Sequence, residues 1–223
     1  MGDDTEFASA TALVLHNQGM GIMRQLLSAA AYCALLILCG AAVSRAASLE
    51  NVPLLWKPTS TLGEMGAIDI TGAAGTTKIR IDALVDTRQN PSLVAENREK
   101  ADKVRQMTTS SDVGTFVTDH LKDTLRRAGL NIVDEGGDVV ISGEIRQFFV
   151  TEVNTYGGEL SLLVHLKSNA GKELWSGVVA GDSTRWGRSY SAENYYETMS
   201  DMLLRGAFNL LSNPGFREAL GKR

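Results

Sequence analysis

The stretch DVVISGEIRQFFVTEV (residues 138–153) decides the fold. Apolar residues recur at every second position, with Val139, Ile141, Ile145 and Phe149 on one side. A two-residue period is that of a half-buried strand. Two more strands of similar length follow. GELSLLVHLKS (158–168) places Leu160, Leu162, Val164 and Leu166 on one face. KELWSGVVAGDSTRW (172–186) begins after Asn169-Ala170-Gly171, a turn sequence suited to a hairpin. Gly143 and Gly177 inside these strands predict bulges or close backbone approach.

Upstream, AIDITG (67–72) and TKIRIDALVDTR (77–88) alternate in the same way, with Ile79, Ile81 and Ala83 on one face. Residues 89–111, polar and containing Asn90-Pro91, read as a long connection. The period then changes. Val113, Phe116, Val117, His120, Leu121, Thr124, Leu125 and Ala128 recur at helical spacing; Ser110 or Ser111 can cap the start and Gly129 the end. LNIV (130–133) is a short strand and DEGGD (134–138) a tight turn. A second helix is expected over 192–212, capped by Ser191 and carrying Tyr195, Met199, Met202, Leu203, Leu210 and Leu211 inward, with Pro214 ending it. One-sided strands and two amphipathic helices predict an α+β two-layer sandwich, a mainly antiparallel sheet with both helices on one face.

The front of the chain is of another kind. Gln25 to Ser44 is an uncharged run preceded by Met23-Arg24, and small residues crowd its end from Gly40 to Ala47. Residues 23–46 read as a signal peptide cut after Ala46, in the small-x-small context Ser44-Arg45-Ala46. Lipid attachment at Cys39 and a retained membrane anchor are the alternatives. Leu38 is bulky for the residue before a lipidated cysteine. Residues 1–22, with Asp3, Asp4 and Glu6, do not suit a positive leader, and translation from Met20 or Met23 would leave them out. Residues 47–65, with Pro53 and Pro58, are expected as a tether or irregular lead-in whose Trp56 packs back, and 66–223 as one domain. Export places that domain in the periplasm, soluble or anchored at the outer membrane.

A net charge of −4 without a basic block excludes the footprint of a nucleic-acid binder. Both cysteines, Cys33 and Cys39, lie in the front segment, so cleavage would leave no thiol for catalysis, metal or disulfide. No phosphate loop, dinucleotide fingerprint or nucleophile elbow occurs, and no cofactor is expected. His120 sits on a helix stripe and His165 on a strand, neither at ligand spacing; His120 reads as a half-buried, hydrogen-bonded side chain. The site-like stretches are two. Asp86 and Arg88 close a strand at the mouth of the 89–111 connection, where binding residues gather, although a turn cap and ion pair is the plainer reading. Arg185, Trp186, Arg188 and Tyr190 combine rings and guanidinium groups of the kind enriched at interfaces, and an aromatic clasp between the last strand and the last helix is the equal alternative. Together these features suggest a non-enzymatic envelope protein that binds an envelope protein or a lipid-like ligand. The competing reading is a periplasmic hydrolase working through Asp86 and the 89–111 loop.

The chain also resembles the YajG-like envelope lipoproteins of bacteria and, more distantly, the auxiliary lipoproteins of ABC-type transport systems. The resemblance is carried by VDTR (85–88), VGTFVTDHLKDTLRRAGLNIV (113–133), the strand 138–153, GELSLLVHLKSNAGKELWSG (158–177) and LSNPGFREAL (211–220). It implies an α+β domain held at the outer membrane, with no catalytic residues to carry over. Leu38 departs from the lipid-attachment sequence of such proteins.

Overall fold

The computed structural model describes residues 49–68 and 76–221. The front segment, with Cys39 and the cleavage region, lies outside the described residues, as do positions 69–72 of the expected strand AIDITG.

The long strand read first is β6, Val139–Glu152, and it organises the sheet. β7 (Tyr156–Ser168) pairs antiparallel along its whole length, and β8 (Glu173–Arg185) pairs antiparallel with β7. On the other side of β6 three short strands run parallel to it in succession: β1 (Ile79–Ile81), β2 (Val85–Asp86) and β3 (Leu93–Asn97). The expected strand 77–88 is therefore interrupted. Leu84 turns away from the ladder and is buried, and its N–H donates to Thr118 Oγ1 (2.9 Å) on the first long helix. Ala83, expected beside Ile81, is exposed as a result. β5 (Ile132–Val133) adds to β1 in parallel and β4 (Arg105–Thr108) to β3 antiparallel.

Residues 89–111, expected as a connection, thus contain the β3–β4 hairpin. Its strands carry Glu96, Arg105 and Gln106, and their polarity hid the pattern: only Val94, Ala95 and Met107 supply the buried apolar face. Phe149 does not share the face of Val139, Ile141 and Ile145. A register shift between Ile145 and Gln147 inverts the alternation, so Phe148, Val150 and Glu152 face the core while Phe149 is half-buried on the other side. Gly143 meets the close approach expected of it, since a Cβ there would lie 2.1 Å from Leu163 O.

The helices lie on one side of this mixed, mainly antiparallel sheet, which is the α+β sandwich expected. They are α1 (Leu62–Met65), α2 (Val113–Arg127), α3 (Ala192–Ser212) and α4 (Pro214–Leu220). Asp112, rather than a serine, caps α2 by accepting from Thr115 N. Gly129 ends it with φ 97° and Leu130 N donates back to Leu125 O (3.1 Å), a Schellman closure. α3 buries Tyr195, Met199, Met202, Leu203, Leu210 and Leu211 as its spacing required. It comes close to β8 because two glycines face each other: a Cβ on Gly181 would sit 2.1 Å from Met202 O and 2.6 Å from Gly206 N.

Residues 49–65 are packed on the domain. Val52 N donates to Thr108 O (3.0 Å), Leu54 N to Ser111 Oγ (3.0 Å), Lys57 N to Ser200 Oγ (2.8 Å) and Thr59 N to Asp201 Oδ1 (2.8 Å). Trp56 does pack back, stacking on His120 with ring centres 4.3 Å apart.

Candidate functional site

Asp86 and Arg88 meet as a nearly buried pair, and their geometry is that of a staple. The guanidinium gives Nε and Nη2 to the Asp86 carboxylate (2.9 and 2.8 Å), its second Nη2 hydrogen to Pro91 O (2.7 Å) and both Nη1 hydrogens to Leu93 O and Phe148 O (3.0 Å each). All five donors are used within the chain. The staple turns residues 88–92 back so that β3 can rejoin β6. A ligand or attacked substrate finds no free hydrogen on Arg88, and the Asp86 carboxylate already accepts from Arg88 through both oxygens.

The second expected group divides. Trp186 is 77% exposed, and Arg188 also projects outward. Arg185 instead turns in to an ion pair with Glu197 on α3. Tyr190 is held inside a network around Glu152, a carboxylate only 1% exposed. Tyr190 N donates to Glu152 Oε1 (2.9 Å) and Tyr195 Oη to Oε2 (2.6 Å). Burial pushes the Glu152 carboxyl up, but the hydrogen bonds from Tyr195, Asn97, Tyr190 N and Ser189 outweigh it and hold it below the usual carboxylate range. Burial and the neighbouring Glu152 push the Tyr195 phenol far above its ordinary value, so it is a constant donor. Tyr190 is thereby held at φ 52°, a conformation that costs a non-glycine residue and that the network compensates. Its hydroxyl donates to Gln106 O (3.0 Å), and Arg105 lies 4.0 Å over its ring.

His165, Ser176 and Glu173 gather on the sheet face away from the helices. Ser176 Oγ (3.1 Å) and Glu173 Oε2 (2.9 Å) both address His165 Nδ1. A nucleophile relay needs the serine and the acid on opposite ring nitrogens, so this trio is not arranged as one.

A recess among the described residues lies elsewhere. It is a half-open cavity of about 450 Å³ between the 56–68 segment, the C-terminal end of α2 and α3. Trp56, Pro58, Leu62, Ile68, Ala128 and Leu204 form apolar walls, and Arg127 stands at the rim with no ion-pair partner among the described residues. Thr61 and Thr124 also line it; Glu64, nearby, is occupied by Thr61 N (2.7 Å) in a capping box. The Trp56 wall is rigid: beyond its stack on His120, it meets Phe116 edge-on at 6.3 Å. His120 is half-buried as expected, yet ring stacking holds it where a hydrogen bond was anticipated, and burial pushes its pKa down. None of Asp86, Arg88, Arg185, Trp186, Arg188 or Tyr190 lines the cavity. The sequence signal for it is that beside Leu125 the end of α2 and its cap carry the small residues Thr124 and Ala128.

Among the described residues no cluster of His, Cys, Asp and Glu could hold a metal ion, and no helix is long and apolar enough to cross a membrane. No family model matches the chain, and no curated protein matches it. Solved structures similar in fold include a Xanthomonas campestris protein of the family DUF330, 10% identical over 72% of this chain and 87% of its own, with a TM-score of 0.48. A candidate lipoprotein from Caulobacter crescentus is 12% identical over 69% and 96%, TM-score 0.44. A PelC dodecamer from Paraburkholderia phytofirmans is 15% identical over 62% and 93%, TM-score 0.37. At such identities and scores these likenesses say nothing of what this chain binds or how it assembles.

Proposed function

We propose that the chain is a non-enzymatic domain of the bacterial envelope that holds a lipid-like ligand, a single-chain amphiphile with an anionic head. The cavity beside Trp56 carries this reading. Its volume lies within the range of about 300–1,000 Å³ typical of small-molecule sites. At ~30 Å³ for each water-sized group, it accommodates about 15 such groups, one acyl chain rather than two. Apolar walls favour the chain, and the unpaired Arg127 at the rim favours a carboxylate or phosphate head. Export by the 23–46 segment, with cleavage after Ala46 or lipidation of Cys39, would put the domain in the periplasm or at the outer membrane.

The test is a titration of the full chain with dodecanoate, followed by the part of the tryptophan fluorescence that Trp56→Phe removes. Saturable binding that Ala128→Phe abolishes supports the reading. Arg127→Ala should weaken it about fivefold, the effect of one exposed ion pair of ~1 kcal/mol. Binding unaffected by Ala128→Phe, or none at all, overturns it. The intact mass of the protein recovered from membrane and soluble envelope fractions tests the address separately. A chain beginning at Ala47 means soluble export; a diacylglyceryl group on Cys39 means an anchor.

A further inference from the structure

Three connections meet at one end of the sheet: the β3–β4 loop (98–104), the β6–β7 turn (153–155) and the segment 186–190 that leads into α3. Hydrogen bonds join them into one surface. Arg98 N donates to Glu152 O (2.7 Å), Ser189 Oγ to Glu99 Oε2 (2.6 Å) and Tyr156 Oη to Arg188 O (2.5 Å). Each connection presents one large apolar side chain to solvent: Val104, Val153 and Trp186. Beside them stand five cations, Arg98, Lys100, Lys103, Arg105 and Arg188, against the anions Glu96, Glu99 and Asp102. Glu96 takes up Arg98 and Ser189 takes up Glu99. Lys100, Lys103, Arg105 and Arg188 have no ion-pair partner among the described residues. This excess of positive charge sits on a chain whose net charge is −4.

We propose that this end of the domain seats on an anionic bilayer surface. Trp186 enters the interfacial layer with Val104 and Val153 beside it, while Lys100, Lys103, Arg105 and Arg188 lie over lipid phosphates. A protein interface of useful affinity has a contiguous apolar core inside a polar rim. Here the three apolar groups stand on separate turns, with Lys103 and Arg105 flanking Val104 and Arg188 following Trp186, the pattern of a membrane-facing surface with an interfacial tryptophan. Each basic residue near an anionic membrane contributes attraction, and the frame beneath Tyr190 and Glu152 holds the loops so that all act together. The inference does not rest on the cavity.

The apolar run 25–44 can itself enter lipid, so the readout must be the depth of Trp186 and not sedimentation. The full chain is mixed with vesicles of phosphatidylglycerol and phosphatidylcholine brominated along their acyl chains. The difference in quenching between the wild type and Trp186→Phe isolates Trp186. The expected result is quenching on phosphatidylglycerol vesicles that disappears on phosphatidylcholine alone and at 1 M salt, where screening extends only about 3 Å. Lys100→Glu with Lys103→Glu should raise the concentration of phosphatidylglycerol vesicles needed for half-maximal quenching at least tenfold. Both positions are exposed loop residues, and an unchanged melting curve verifies the fold. Absence of Trp186 quenching, quenching equal on neutral lipid, or a photocrosslink from position 186 to a protein in place of lipid overturns the proposal. Dodecanoate binding should be unaltered in these variants, which separates this outcome from failure of the cavity reading.

Discussion

At the scale of single residues, the chain spends its best-placed charges on structure. Arg88 uses every donor to hold an arch of backbone, and removing it leaves Asp86 nearly buried without its partner. Arg88→Ala should therefore cost about 3–5 kcal/mol in urea unfolding, the loss typical of a buried pair broken on one side. Arg88→Lys should recover little, because an ammonium cannot reproduce the five-donor fork. Glu152 gives a pH prediction. Its folded-state pKa lies below the usual carboxylate range, so it adds stability above the ordinary glutamate value of about 4.3. That contribution is lost as pH falls through the lower, folded value. The melting temperature of the wild type should drop more steeply below about pH 4.3 than that of Glu152→Gln, which should start lower at neutral pH.

At the scale of elements, long regular patterns were readable from the chain and compromises were not. α3 is found over the expected 192–212, since its inward positions are consistently large and apolar. The β3–β4 hairpin escaped because strands at this margin of the sheet bury few side chains and carry charge outward. The shift after Ile145 escaped because no glycine or proline marks it: Arg146-Gln147 carries the irregularity. The cavity was legible only in part. Trp56 was expected to pack back, but its partner surface joins α2 and α3, far apart in sequence. The lead-in segment supplies the element-scale prediction. Burial lowers the His120 pKa, opposed by Asp119 and Asp123 and reinforced by Arg127. A histidine depressed in this way stabilises the docked segment fully above its ordinary value of about 6.5, and the stabilisation declines as pH falls below it. Amide exchange of Leu54 and Lys57 should accelerate between pH 6.5 and 5 relative to β7, and His120→Phe should remove that dependence.

At the scale of the whole molecule, the one-sided sandwich offers two surfaces to which the proposals attach. One end of the sheet gathers exposed apolar tips and cations on a hydrogen-bonded frame. The helical layer encloses a recess whose wall is completed by the entering chain. Close contact of α3 with β8 at Gly181 and Gly206 keeps that layer seated, so Gly181→Val should loosen α3 and weaken ligand binding along with stability. The central claim is that the recess is occupied by a single-chain anionic amphiphile in the envelope. Its most direct test is native mass spectrometry of the full chain taken gently from cell membranes. One amphiphile per chain is expected, released on unfolding and missing from Ala128→Phe. A wild-type protein that is empty, or an adduct that persists in Ala128→Phe, would contradict it.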